Sequence, residues 1–342
     1  YTPRLLGVRG DADTPERRHA LCRDDGRKEL HHGHEHNKRR GARSRRPYTV
    51  QQLPPELQEI AIDSWFFSTD MQLSSRQYSA TTQRINIGDT YIGGDVKNQL
   101  MIAGPCAVEN RAQIEASCQM LKRNGIRVLR AGCYKPRTSP YTFRGLGEDG
   151  LKLLAEMREK YGLLIATEMR DATHADKVVE YADIVQVGAK SMYDHGLLTA
   201  AGQSGKPVIL KRGFGSTLQE FVNCADFIMS CGNEQVILCE RGIRSFETNT
   251  RFTLDLCGVA WLKEHCNLPI IVDPSHAMGY AYGIADLARA CTAMGVDGLL
   301  VETHPNPKQA QSDAPQQLDH QEFAAMYQSL KPVAKAIGKE LV

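Results

Sequence analysis

The chain has 342 residues, 42% of them hydrophobic and 24% charged, and its formal net charge is only +2. This composition is typical of a soluble globular protein and excludes one that binds polyanions through its global charge. No apolar run reaches the roughly 18–20 residues of a membrane span, and the N-terminus lacks a signal-peptide core. Because the chain begins at Tyr1, we expect the native start to be missing or processed.

The ten cysteines are scattered along the chain without the spacing of a disulfide framework. We therefore predict a reduced, cytoplasmic protein in which most cysteines are small buried hydrophobic residues.

Residues 1–82 are predicted to form an N-terminal extension or a partial regulatory domain. Residues 1–46 carry 13 Lys and Arg against 7 Asp and Glu. Residues 10–47 are poor in apolar side chains, and the histidine- and arginine-rich stretch 31–46 is predicted to be a disordered, solvated loop. A metal-binding histidine cluster and a nucleic-acid-binding arm are the alternatives. The basic residues lack the interleaved aromatic side chains of a good nucleic-acid surface.

Around this stretch the patterns predict a few local elements. Residues 4–10 and 71–78 are interpreted as strands, and residues 54–67 as a helix with proline at its start. Residues 83–94 are interpreted as a β-hairpin with Gly-Asp at the turn.

From residue 99 onward, eight short apolar runs alternate with segments of helical periodicity. Such runs are typical of parallel strands covered on both faces. They lie at 99–106, 127–135, 163–168, 184–190, 207–213, 235–242, 269–276 and 298–305. Eight βα units predict an α/β fold, a (β/α)8 TIM barrel over residues 83–342. A doubly wound open sheet is the alternative, but no GxGxxG follows the first strand.

In this fold the catalytic groups stand at the C-terminal ends of the strands. Each predicted strand ends in an ionisable or metal-capable side chain. In order they are Cys106, Lys135, Glu168, Lys190, Lys211, Arg241, His276 and Glu302. Any one of them could be a solvent-facing end residue, whereas eight on one rim indicate a site.

Cys106, His276 and Glu302, with Asp313 from the following loop, form the first candidate group. A thiolate, an imidazole and two carboxylates suit Mn, Fe, Co or Zn better than Mg or Ca. Alone, Cys106 would be interpreted as a buried structural thiol and His276 as a capping or core histidine. Their shared position at strand ends favours a catalytic metal site.

The second candidate group is cationic and indicates more than one bound anion, because unpaired cations on one rim would repel each other. Its members are Arg130, Lys135, Arg137, Lys190, Lys211, Arg212 and Arg241. Two phosphorylated substrates, or a phosphate and a carboxylate, would account for the excess of charge.

Six long motifs carry a family resemblance over about residues 72–340. They are AGPCAVE, KPRTSPYTFRGLGEDGL, LKRGFGSTLQEF, GNEQVILCERGIRSFETNTRFTLDL, LPIIVDPSHAMG and DGLLVETHPNPKQAQSD. The chain resembles the type I-beta class of 3-deoxy-D-arabino-heptulosonate 7-phosphate (DAHP) synthases. The resemblance implies a metal-dependent condensation of phosphoenolpyruvate with erythrose 4-phosphate to DAHP and phosphate, the first step of the shikimate pathway. It also implies a homodimer or homotetramer.

The resemblance also implies roles for single residues. The metal would be held by Cys106, His276, Glu302 and Asp313. Phosphoenolpyruvate would be held by Arg130, Lys135, Lys211 and Arg241, with Lys190 standing where the family has an arginine. The aldose phosphate would be held by Arg137, Thr138 and Ser139, with Asp273 and His304 near the sugar. We take Lys135, Cys106 and His276 as the catalytic residues.

In the mechanism that we expect, the metal and Lys135 polarise the aldehyde, and Lys135 or a metal-bound water protonates the new alkoxide. Neighbouring cations should lower the pKa of Lys135. Glu168 is a candidate for holding the water that attacks C2, and a salt bridge to Lys135 or Lys190 is an equal alternative.

Three alternatives to this function stay open. The sibling 3-deoxy-D-manno-octulosonate 8-phosphate (KDO8P) synthases use arabinose 5-phosphate and typically have a KANRSS-like segment where this chain has KPRTS. A stiffening proline at Pro136 would shorten the pocket for the smaller aldose. The non-enzyme alternatives are an anion-binding metabolite sensor and a nucleic-acid-associated protein. The family often carries an N-terminal ferredoxin-like or chorismate mutase domain, and the predicted strand, helix and strand suit the former.

Overall fold

The computed structural model describes residues 70–135 and 141–342, together with the backbone of four strands nearer the N-terminus. These strands are Leu5–Gly10 (β1), His19–Arg23 (β2), Lys28–Leu30 (β3) and Ala61–Phe67 (β4). They form one antiparallel sheet in the order β3-β2-β1-β4.

The N-terminal sheet confirms one predicted element, corrects another and contains two strands that were not predicted. β1 lies where a strand was predicted. The helix predicted over 54–67 is wrong for its second half, because β4 pairs with β1 and places Trp65 opposite Gly7. Consecutive aromatic residues favour a strand over a helix here. β2 and β3 fall inside residues 10–47, the stretch poor in apolar side chains, whereas the loop predicted over residues 31–46 lies outside the described part of the chain.

The predicted hairpin is confirmed as Arg84–Ile87 (β5) and Thr90–Gly93 (β6). Gly88 adopts the left-handed conformation (φ 64°) that the two-residue turn requires. Ile85, Ile87 and Ile92 are buried and join the side chains inside the barrel. The hairpin therefore closes one end of the barrel with apolar side chains.

The predicted strand 71–78 is wrong, because side chains of the barrel satisfy its backbone instead of a neighbouring strand. Asp226 accepts hydrogen bonds from the amides of Gln72 (2.7 Å) and Ser74 (2.8 Å). The Asn267 amide donates to the carbonyls of Leu73 (2.8 Å) and Ser75 (3.1 Å). The segment is thus fastened to the outside of the barrel, with a single bridge between Ser75 and Cys266.

The predicted (β/α)8 barrel is confirmed. Its parallel strands are Asn98–Gly104 (β7), Val128–Arg130 (β8), Leu164–Met169 (β9), Ile184–Val187 (β10), Val208–Lys211 (β11), Val236–Glu240 (β12), Ile270–Val272 (β13) and Gly298–Glu302 (β14). Sequential neighbours pair in parallel, and β14 pairs with β7 to close the cylinder. A short strand, Glu340–Leu341 (β15), adds to the start of β7.

The helices cover the outside of the barrel. They are Arg111–Arg123 (α1), Glu148–Tyr161 (α2), Ala175–Tyr181 (α3), His195–Gln203 (α4), Leu218–Ser230 (α5), Leu256–His265 (α6), Pro274–Met278 (α7), Ile284–Ala293 (α8) and His320–Ala336 (α9). Capping boxes fix the starts of α5, at Thr217 and Glu220, and of α9, at Asp319 and Glu322. Among the described helices, none is long and apolar enough to cross a bilayer.

Candidate active site and metal centre

Three of the predicted metal ligands meet at the C-terminal end of the barrel. Cys106, Glu302 and Asp313, here called the ligand cluster, each offer one atom, and these atoms lie within 4.8 Å of one another. Cys106 follows β7 and Glu302 ends β14, and barrel closure brings the two strand ends together, because Glu302 pairs with Gly104. Asp313 comes from the loop after β14. Residues far apart in sequence therefore converge through the fold.

His276 adjoins the ligand cluster through Glu302. Its Nε2 lies 3.5 Å from Glu302 Oε1, and its Nδ1 lies 2.7 Å from Asp273 Oδ2. Asp273 also caps α7 by accepting from the His276 amide (2.9 Å), which fixes the ring at the start of that helix. A carboxylate on one ring nitrogen leaves the other directed at the cluster, the arrangement found for metal-binding histidines.

The charges within the cluster are mutually compensated. Burial alone would raise the pKa of Asp313, but His276 and Arg251 hold it at about 2. Burial opposes ionisation of Glu302 as well, and His276 and Arg130 lower its pKa. Both carboxyl groups are therefore ionised at neutral pH and available to a cation.

Cys106 is buried and in contact with three polar groups. Its Sγ lies 3.0 Å from Lys135 Nζ, 3.1 Å from Ser312 Oγ and 3.2 Å from Asp313 Oδ2. Burial raises the pKa of this thiol to about 12, and Glu302 adds to the effect.

The pKa of Lys135 is raised, whereas we expected neighbouring cations to lower it. Burial and Arg130 do act in the expected direction, but the combined effect of Cys106, Glu168 and Glu302 outweighs them. Lys135, 8% exposed, is therefore charged at neutral pH.

Three of the predicted anion-binding cations are already paired. Arg130 lies 2.5 Å from Glu302 Oε1, and Lys211 lies 2.6 Å from Asp273 Oδ2. Arg212 contacts both Glu240 (2.9 Å) and Asp255 (2.8 Å), so its charge is already balanced by two carboxylates of the protein. Fewer than seven of these cations are therefore left to require a bound anion. Arg212 belongs to the framework, since it joins β12 to the start of α6.

Arg241 differs from its buried neighbours. It is 4% exposed and stacks over the Phe252 ring (4.3 Å to the centroid). Its NH1 donates only a long hydrogen bond, 3.4 Å, to the Gly242 carbonyl, and its Nε is buried without a partner. No carboxylate in the described ranges forms an ion pair with it. A buried guanidinium in this state is prepared to receive an anion. The Nε of Arg130 is likewise buried without a partner.

Glu168 lies on β9, and Lys190 follows the end of the neighbouring strand β10. Glu168 accepts a hydrogen bond from Gln186 (3.0 Å), and its carboxylate occupies the space where a side chain on Gly188 would project (2.3 Å). Within the described residues no ion pair joins Glu168 to Lys135 or Lys190, although the charge of Glu168 helps to raise the pKa of Lys135. Lys190 is exposed, in a short 3₁₀ segment after β10.

The remaining predicted site residues are placed unevenly. Asp273 is fully buried beneath His276 and Lys211. His304 follows β14, and its Nε2 lies 3.3 Å from Glu109 Oε2. Arg137, Thr138 and Ser139 lie outside the described residues, so their predicted contact with the aldose phosphate stays a prediction.

The sequence reasoning missed two residues beside the ligand cluster. Gln316 donates to Glu302 (2.6 Å), and Arg251, from the loop after β12, contacts both Gln316 and Asp313. A glutamine in a loop has no charge or periodicity that distinguishes it, and Arg251 is separated from Gln316 by 65 positions in the sequence. The only available signal was the position of Glu302 at the end of β14, which indicates that residues in the following loop can contact the site.

Comparisons with known proteins agree with this geometry. A family model described as the DAHP synthetase I family matches residues 71–339. The phospho-2-dehydro-3-deoxyheptonate aldolase of Thermotoga maritima is 45% identical over 267 residues, which are 78% of this chain and 78% of that protein. The 2-dehydro-3-deoxyphosphooctonate aldolase of Rhodopseudomonas palustris is 34% identical over 260 residues, 69% of this chain and 90% of that protein.

Solved structures give the same result. The crystal structure of the Thermotoga maritima phospho-2-dehydro-3-deoxyheptonate aldolase (DAHP synthase) matches with a TM-score of 0.79 and 35% identity, and the match covers 100% of both chains. A truncated form of the DAHP synthase from the same organism matches with a TM-score of 0.75 and 41% identity over 80% of this chain and 100% of that one.

These similarities confirm the resemblance drawn from the motifs, and with it the predicted 3-deoxy-7-phosphoheptulonate synthase activity, because the heptonate relative is the more similar of the two kinds. The chain belongs to the DAHP synthetase I family.

Proposed function

We propose that this chain joins phosphoenolpyruvate to erythrose 4-phosphate, giving DAHP and phosphate, with one divalent cation held by Cys106, His276, Glu302 and Asp313. The observation that carries the proposal is the convergence of a thiol and two carboxylates within 4.8 Å at the barrel rim. Buried cations surround this cluster, as two anionic substrates require.

The donor set fits a catalytic cation. A sulfur and carboxylate oxygens, with an imidazole 3.5 Å from Glu302, suit Mn, Fe, Co or Zn better than Mg or Ca. A cation there would supply Lewis-acid polarisation of the aldehyde oxygen. Cys106 must lose its proton on binding, so affinity for the cation should rise with pH.

Phosphoenolpyruvate carries a phosphate and a carboxylate, and the site offers cations for both. Arg241 has no carboxylate partner in the described residues, and the Nε atoms of Arg241 and Arg130 are buried without hydrogen-bond partners. Lys211 keeps its pairing with Asp273 and presents its remaining donors at the same rim. These groups would fix phosphoenolpyruvate with its C3 directed at the aldehyde carbon.

The reaction then needs proton and water control. A carbon–carbon bond forms between C3 of phosphoenolpyruvate and the aldehyde carbon, and the aldehyde oxygen takes up a proton. Lys135, whose Nζ lies 3.0 Å from Cys106 Sγ, would donate it. Water adds at C2 and phosphate departs from that carbon. Glu168, half-buried on β9, would hold this water. Asp273 and His304 would lie near the sugar.

The identity of the aldose is the finer part of the proposal. Arg137, Thr138 and Ser139 would bind its phosphate. They lie in the segment KPRTS, at the position where the octulosonate enzymes typically have a KANRSS-like segment. The higher identity to the heptonate relative supports the four-carbon sugar phosphate over arabinose 5-phosphate. The free state of all nine described cysteines supports a reducing compartment, and we infer the cytoplasm.

The test is a phosphate-release assay on the purified chain. Phosphoenolpyruvate is supplied alone, with erythrose 4-phosphate, or with arabinose 5-phosphate, each with and without a chelator. We expect release that requires erythrose 4-phosphate, stops with the chelator and returns on adding Mn or Co. Faster turnover of arabinose 5-phosphate would transfer the assignment to the octulosonate enzymes. Absence of product under all conditions would favour a metabolite sensor.

A further inference from the structure

Two side chains that are not predicted metal ligands hold two of the ligands in place. The Gln316 amide donates from Nε2 to Glu302 Oε2 (2.6 Å), and its Oε1 accepts from the Arg251 guanidinium. Arg251 also lies 3.6 Å from Asp313 Oδ1. One connected group therefore joins the loop after β12 to both carboxylates of the ligand cluster.

The partners of Glu302 are divided between its two oxygens. Oε1 faces Arg130 (2.5 Å) and His276 (3.5 Å), whereas Oε2 receives the hydrogen bond from Gln316. The terminal torsion of a glutamate is broad and poorly restricted by itself. Separate partners on the two oxygens fix the plane of the carboxylate, and Gln316 supplies the Oε2 half.

Asp313 needs external support for a different reason. Among the described non-glycine residues it alone has positive φ (49°), a conformation that Asp tolerates better than most residues. Its Oδ1 faces Arg251, and its Oδ2 lies 3.2 Å from Cys106 Sγ. Arg251 thus turns one oxygen outward and leaves the other beside the thiol.

Burial distinguishes the two supporting residues. Gln316 is 2% exposed, and both polar atoms of its amide are used. Arg251 retains 37% side-chain exposure and stacks loosely near Phe252 (5.8 Å). Partners that orient ligands without binding the metal typically contribute 10- to 100-fold in metal affinity.

We infer that Gln316 and Arg251 are positioning residues that orient Glu302 and Asp313 toward the divalent cation. This inference rests on the proposed metal site and deepens it. Cation affinity then depends on an amide and a guanidinium that never contact the cation.

The experiment titrates metal-free protein with Co²⁺ and follows the near-ultraviolet thiolate-to-cobalt absorption, which reports on Cys106 and needs no turnover. Gln316→Leu keeps the approximate volume and removes both hydrogen bonds. We expect its Kd for Co²⁺ to rise by about 10- to 100-fold. Arg251→Met should raise the Kd by about tenfold. Arg251→Lys, which keeps the charge but loses the planar fork, should recover part of that loss.

The matched control is Gln321→Leu on the exposed start of α9, which should bind Co²⁺ like the parent chain. Thermal unfolding of each metal-free variant separates orientation from general damage. A parent chain that binds no Co²⁺ overturns the metal site itself. A parent that binds, with unchanged Kd in Gln316→Leu, overturns the positioning inference. Should Gln316→Leu fail to fold, the half-exposed Arg251→Met decides, and parental affinity there overturns it equally.

Discussion

The same eight strands end in apolar contacts at one end of the barrel and in buried charged side chains at the other. At the N-terminal end, the β5–β6 hairpin inserts Ile85, Ile87 and Ile92, each 1% exposed or less, against the interior side chains. At the C-terminal end, buried positions carry charged side chains, among them Glu302 (0% exposed) and Arg241 (4%). One end is closed by apolar contact, and the other is filled with charge.

The difference shows where stability and function reside. Each buried apolar side chain at the hairpin end contributes about 1.5–3 kcal/mol through removal from water. Buried charges at the rim cost desolvation energy, which close partners offset. Arg212, with two carboxylates within 3 Å, is such a compensated charge, whereas no carboxylate in the described ranges forms an ion pair with Arg241. In the proposed function, bound phosphoenolpyruvate would supply the anion that Arg241 lacks.

The largest expected effect breaks this comparison at the rim. Replacing Arg241 by Gln should lower kcat/KM by about 30- to 5000-fold, because truncating one partner of a buried charge pair costs roughly 2–5 kcal/mol. The free energy of unfolding should stay equal or increase, because an unpaired buried charge is removed. Steady-state kinetics and urea denaturation measure the two quantities.

The control is Arg212, which has the same charge and the same exposure (4%) as Arg241. Arg212→Gln leaves Glu240 and Asp255 without their cation and should lose about 3–5 kcal/mol of stability. If instead Arg241→Gln is the destabilised variant and keeps its kcat/KM, the division between substrate-binding and framework arginines is wrong.

The next effect sharpens the comparison at the other end. Ile85→Ala should lower the free energy of unfolding by about 2–4 kcal/mol through a cavity in the barrel interior. kcat and KM should stay at parental values, since the hairpin lies at the end opposite the rim. Ile337→Ala, at an exposed position, should change stability by less than about 0.5 kcal/mol. A large fall in kcat for Ile85→Ala would show that the two ends are coupled.

The sequence predicted what the repeating pattern determines. Apolar runs buried on both faces identify parallel strands, and closure of eight of them brings Cys106, Glu302 and Asp313 together. Contacts between loops leave no periodic pattern in the sequence. The partners of Arg212, the hydrogen bonds of Gln316 and the missing carboxylate partner of Arg241 all depend on loop geometry. The sequence therefore did not distinguish Arg212 from Arg241, and it did not indicate Gln316. The helix predicted over residues 54–67 relied on the prolines at its start, but the aromatic residues at its end belong to β4 and pair with β1.

The smallest expected effect concerns Lys190, at the edge of the rim where the family resemblance implies an arginine. A lysine supplies charge without the bidentate fork that suits a phosphate or carboxylate. Lys190→Arg should therefore lower the KM for phosphoenolpyruvate by about 2- to 5-fold at unchanged kcat. Lys190→Met, which removes the charge, should raise it.

Because Lys190 is exposed and lacks an ion pair within the described ranges, neither change should alter the unfolding midpoint. A KM that is unchanged or higher in Lys190→Arg would mean that this position does not contact phosphoenolpyruvate. The rim would then bind that substrate through its buried cations alone, and the exposed edge would belong to solvent.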